Sequence, residues 1–165
     1  MNTWWRRLHK RWRLIRSLRG PREWWLFVRA LGFATAVPVF MRLPLPKLGR
    51  LLERRFPPAC PEGLAATQGE RMIGVIRAAI ATGAPLVSGR CLTRGLTLYY
   101  FLRRSGMELA LVFGAGYGQA GFAGHCWLVK DGVPFLERGD PREKFVVMYR
   151  LPEVPTCATF RAPDA

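Results

Sequence analysis

Hydrophobic residues recur every three to four positions up to about residue 105 and alternate with polar ones beyond it. The pattern therefore predicts helices first and strands afterwards. In residues 3–19, Trp5, Leu8, Trp12, Ile15 and Leu18 (or Leu14) share a helical face, and arginines fill the remainder. Gly20-Pro21 punctuates. A second helix is predicted from about Glu23 to Val37, limited by Pro38. Pro44 and Pro46 break the chain before a short helix to about Arg55, and the loop Pro57–Gly63 is the best internal seam. "TQGERMIGVIRAAIATG" predicts a further helix with Met72, Ile73, Ile76 and Ile80 on one side. "SGRCLTRGLTLYYFLRRSG" predicts another, with Ser88 as N-cap and Gly106 as the C′ stop. "MELALVFGAG" reads as a strand followed by a Gly-rich turn. "HCWLVK" and "VPFLER" read as two strands around Lys130-Asp131-Gly132, and "KFVVMYRL" as one more. Helices followed by an antiparallel sheet predict an α+β fold.

The 165 residues suit one domain, 1–165, with a helical N-terminal part over residues 1–85. Half the residues are hydrophobic, which excludes a disordered polyelectrolyte. The formal charge of +15 is unevenly placed: residues 1–55 carry fourteen basic residues against two acids, the remainder twelve against nine. A basic front segment suits an acidic protein partner, an anionic membrane surface or nucleic acid, and composition does not choose among them. The longest apolar stretch, Trp24–Met41, is interrupted by Arg29 and Pro38, so no membrane span is expected. The N-terminus lacks the compact apolar core and small-residue cleavage site of a signal peptide, and a cytoplasmic location is expected. The cysteines, Cys60, Cys91, Cys126 and Cys157, form no CxxC pair, and the chain has two histidines. Reduced thiols are expected, with no metal site and no cofactor.

Cys91 is the candidate nucleophile. With Ser88 as cap it lies in the first turn of its helix, where free N–H groups, the helix dipole, Arg90 and Arg94 favour a thiolate. Positions 91, 95, 98 and 102 share a face, and Gly95 leaves room for another element to approach the sulfur. A small buried hydrophobe is the plainer reading of any free cysteine. Cys60 and Cys157 lie in loop and tail. Cys126 is expected to point away from His125, because neighbouring strand residues face opposite ways.

A thiol nucleophile needs a base, and the base an orienting group. His125 heads an alternating strand whose returning partner offers Glu137, with Asp140 just beyond. A two-residue Asp131-Gly132 loop sets His125 opposite Arg138, whereas a three-residue Lys130–Gly132 loop sets it opposite Glu137. Both are open, and the triad favours the longer. "GAGYG", Gly114–Gly118, looks like a phosphate loop, but no helix follows it, so a mobile turn is expected instead.

"CLTRGLTLYYFLRRSGMELALVFGAG" followed by "GFAGHCWLVKDGVPFLE" resembles the transglutaminase-like cysteine peptidases of lasso-peptide maturation. The match covers roughly residues 86–150, and the "RLPLPKLGRLL" step adds a weaker likeness. The resemblance implies a papain- or transglutaminase-like core, with a cysteine-bearing helix packed on an antiparallel sheet. It implies a leader peptidase with Cys91 as nucleophile, His125 as acid and base, and a third member at Glu137, where that family usually has Asp. Asp140 is the alternative third member. The family's "HAW" is here "HCW", and the retained Trp127 is placed to shield the His–acid contact. Residues 1–85 show no strand-rich leader-binding module, so the stand-alone form is implied. Its partners are then the precursor leader peptide, a separate leader-recognition protein and a lasso cyclase. The basic N-terminal helices are left for docking or membrane-surface contact, and nucleic acid is not expected. Two other readings remain: an inactive basic binding module, and an acyl transferase with an amine acceptor.

Overall fold

The computed structural model describes Leu18 and residues 20–53, 66–83, 91–118 and 121–152. The helix predicted over residues 3–19, apart from Leu18, and the Pro57–Gly63 seam, Ser88, Arg90, Cys60 and Cys157 lie outside the described residues. Among the described residues four helices precede a four-stranded antiparallel sheet, an α+β arrangement in which the cysteine-bearing helix packs on the sheet.

Helix α1 (Pro21–Phe40) begins with Pro21 in its first turn, where a missing N–H loses nothing. Phe27, Ala30, Ala34 and Val37 recur at helical spacing and are all buried. The helix runs past Pro38 rather than ending before it. The proline forfeits one backbone bond, but in the last turn, where the buried Ala34 and Val37 hold the chain helical. Helix α2 (Leu45–Glu53) starts between the two prolines: Pro44 precedes it, while Pro46 lies inside its first turn, where a missing N–H loses nothing, and does not break the chain. Helix α3 (Ala66–Gly83) buries Ile73, Ile76 and Ile80 and packs on α1.

Helix α4 (Cys91–Arg104) is the centre of the molecule, buried on nearly every side between α1, α3 and the sheet. Leu96, Leu98 and Leu102 are fully inside, each contributing about 1.5–3 kcal/mol by leaving water. Gly106, at φ 88, stops it: the Gly106 N–H donates to the Arg103 carbonyl and the Met107 N–H to Leu102. No helix among the described residues is long and apolar enough to cross a membrane.

Strands β1 (Ala110–Gly118), β2 (Gly121–Lys130), β3 (Val133–Phe135) and β4 (Val146–Leu151) form one sheet in the order β3-β2-β1-β4. Leu111, Phe113, Cys126, Leu128, Tyr149 and Leu151 face the helices, while Ala110, Val112, Trp127, Val129 and Phe145 form a smaller cluster behind. The Gly-rich stretch is therefore strand, not a mobile turn. Its glycines admit close neighbours: a Cβ on Gly114 would lie 2.8 Å from the Trp127 ring, and one on Gly116 2.2 Å from the Lys144 carbonyl oxygen. Gly116→Ala must move backbone, and is expected to lose about 1–3 kcal/mol of stability. Gly74→Ala, in the middle of α3 with open space around it, should instead gain up to about 1 kcal/mol. Urea unfolding of the two variants reads these opposite signs.

Candidate active site

The turn between β2 and β3 is the two-residue one. Lys130 pairs with Val133 around Asp131 (φ 50) and Gly132 (φ 81), both left-handed as a type I′ turn requires. The three-residue loop that the triad favoured is not formed. Continued pairing in this register would bring Arg138, not Glu137, opposite His125. The strand does not continue: β3 ends at Phe135, and Leu136 takes φ 64, a left-handed conformation that a leucine adopts only at some strain. That single residue takes the chain out of the sheet and delivers Glu137 to the imidazole by another route.

His125 sits in β2 beyond the last β3 pair, so its side of the strand is open. Its Nε2 lies 3.4 Å from Glu137 Oε2, and the other carboxylate oxygen of Glu137 accepts from Arg94 Nη2. With Nε2 turned to the acid, Nδ1 is the ring nitrogen left for the thiol, and His125 is among the neighbours that lower the Cys91 pKa. Trp127 lies under the imidazole, nearly parallel at 6.0 Å, and Phe145 lies against it at 5.3 Å. Gly114, paired with His125 across the sheet, makes room for the Trp127 ring. The glycine run thus serves the aromatic support of the imidazole.

Cys91 is the first described residue of α4, and it is half-buried. Its pKa falls from the usual thiol value to about 4. The largest cause is a hydrogen bond from the Cys126 thiol; burial opposes it, and the Cys126 backbone N–H, the His125 bond and the His125 charge add to it. The expected role of Arg94 is thereby corrected, because its guanidinium pairs with Glu137. Cys126 is corrected as well. It does point to the opposite face from His125, but that face carries α4, and its sulfur lies over Gly95, 3.1 Å from where a Cβ would stand. The gap foreseen at Gly95 is filled by this second thiol, whose own pKa is raised by the bond to Cys91 and by burial. Asp140 is not part of the group. It caps the short 3₁₀ turn Pro141–Glu143, accepts from the Arg142 backbone and guanidinium, and is held below the usual carboxylate range by them.

Arg94, Cys126, Leu136 and Phe145 are the residues of this site whose parts the sequence pattern did not show. Only Gly95 carried a signal, as a gap in a helix face awaiting a neighbour. No group of three or more His, Cys, Asp or Glu among the described residues is arranged to hold a metal ion.

The thiol has a consequence in solution. Alkylation of Cys91 by iodoacetamide should run at a near-constant rate from about pH 5 to pH 9 and fall below about pH 4, because only the thiolate reacts. In Cys126→Ala the first cause of the low pKa is gone, so the midpoint moves up. Labelling rates read by peptide mass spectrometry at Cys91 check both.

A family model described as the transglutaminase-like superfamily matches residues 35–150, from within α1 to the end of β4 less one residue. Searches of curated proteins and of solved structures returned no match.

Proposed function

The chain belongs to the transglutaminase-like superfamily, and from that premise we propose that it is a cysteine peptidase that removes the leader from a ribosomally made lasso-peptide precursor. The observation that carries the reading is the linked set Cys91–His125–Glu137, in which a thiol of pKa about 4, an imidazole and a carboxylate come together. Members of this superfamily use such a set for thiol-dependent peptide cleavage or acyl transfer.

In the proposed reaction the Cys91 thiolate attacks the scissile carbonyl carbon, and the carbonyl oxygen takes the negative charge. Backbone N–H groups at the start of α4 receive that oxyanion. His125 gives its proton to the departing amine, which frees the core peptide, and the leader remains as a thioester on Cys91. Water then attacks the thioester, with His125 taking its proton, and the leader leaves with a free carboxylate. Glu137 holds the Nε2 side of the ring through both halves, and Arg94 holds Glu137. Trp127 and Phe145 exclude water from the far side of the imidazole.

The freed core N-terminus is the group a separate lasso cyclase consumes. A leader-recognition protein delivers the precursor, and the excess of basic residues in 1–55 supports a docking surface for it or for an acidic leader. The reaction is placed in the cytoplasm, with the reduced thiol it requires. The test mixes purified chain, precursor and leader-recognition protein and follows the products by mass spectrometry. Leader with a free carboxylate supports hydrolysis. Leader joined to an added primary amine, with little free acid, moves the assignment to acyl transfer. No change in the precursor overturns the reading.

A further inference from the structure

Two thiols meet at this site, and one acid–base set uses only one of them. The Cys126 sulfur lies over Gly95, one helical turn from Cys91, the two cysteines pack in the same cluster, and both are free. Cys126 is 2% exposed, roofed by the sheet on one side and by Gly95 of α4 on the other. Cys91 is the half-buried member, so the pair has one cysteine within reach of solvent and one shut off from it. We propose that Cys91 and Cys126 form a reversible disulfide site, which a hydroperoxide closes and a dithiol reopens.

The chemistry balances with a hydroperoxide as oxidant. The Cys91 thiolate attacks the outer peroxide oxygen; the O–O bond breaks, the S–O bond of a sulfenic acid forms, and the alkoxide or hydroxide leaves with a proton from water. Cys126 sulfur then attacks the Cys91 sulfur. The S–S bond forms, the S–O bond breaks, and the departing hydroxide takes the Cys126 proton as water. Two electrons pass from the sulfurs to the peroxide oxygen. A dithiol returns them by exchange at the more accessible sulfur, Cys91. The division of labour follows from position: Cys91, ionised and open, meets the oxidant, while Cys126, protonated and buried, resolves it. A strand neighbour of the imidazole thereby guards the nucleophile against overoxidation.

The inference needs only the two sulfurs, so it stands or falls apart from leader cleavage, and its readouts are mass and thiol labelling. The full chain is treated with a small excess of hydrogen peroxide and then digested without reduction. The expected product is a linked Cys91–Cys126 peptide, about 2 Da below the sum of its parts, with Cys91 labelling lost and then restored by dithiothreitol. In Cys126→Ala and Cys126→Ser, Cys91 should instead gain about 32 or 48 Da, with recovery of labelling roughly tenfold lower. Wild-type chain that yields sulfinic Cys91 without the linked peptide overturns the proposal, as does linkage of Cys91 to Cys60 or Cys157 in its place. The wild-type map decides even if both variants fold poorly.

Discussion

Cys91→Ala should reduce leader release by roughly 10⁵–10⁶-fold, the scale on which removal of a covalent nucleophile is felt when the rest of a triad stays in place. Among the described residues the other thiol is Cys126, which is buried, protonated and turned to the helix face. Alanine fits the position without strain, because Cys91 is already half-exposed and the helix it opens is held by the buried run Leu96–Leu102 further along. The variant should therefore fold, and it should still bind precursor. Single-turnover release measured by mass spectrometry, beside a binding measurement on the same sample, separates the two. Cleavage within tenfold of wild type would show that the carbonyl is attacked by something other than this sulfur, and the proposed mechanism would go with it.

Glu137→Gln should lower kcat/KM by about 10²–10⁴-fold, the range in which a misoriented general base is felt. Gln keeps the length of the side chain but removes the charge that His125 Nε2 and Arg94 both address. Its NH₂ group is a donor facing donors, so the ring is free to turn or change tautomer. Arg94 is 34% exposed and can take water as its new partner, which limits damage to the fold. The informative comparison is with alkylation. The low pKa of Cys91 is caused first by Cys126, and Glu137 is not among its causes. Iodoacetamide should thus still label Cys91 at pH 7 within about threefold of the wild-type rate, since the thiolate itself survives. Cleavage lost together with labelling would mean that Glu137 builds the site rather than orienting the base. Cleavage kept would remove Glu137 from the set altogether.

The helix bearing Cys91 was legible because its signals are local. Its apolar spacing, and the glycine at 106 that closes it, act within a turn or two of chain. The same holds for β4 and for the β2 alternation that set His125 and Trp127 on one face and Cys126 on the other. Pro38 misled because the local penalty of a proline was outweighed by burial of Val37 and Ala34 against distant helices. Gly114–Gly118 misled because glycine reads as turn in isolation, whereas here it makes space for Trp127, the Lys144 backbone and the Phe145 side chain.

By itself the sequence determined the helix-then-sheet order and the chemical identities of Cys91, His125 and Glu137, since spacing and side-chain chemistry are written residue by residue. Tertiary structure alone decided how they meet. A hairpin register that points Arg138 at the histidine is overridden by one leucine at φ 64, and a cysteine that alternation sends away from His125 is sent to Cys91 by the helix on that face. Alternation says which face a side chain takes; what waits there depends on packing between segments thirty or more residues apart, and no local pattern carries that.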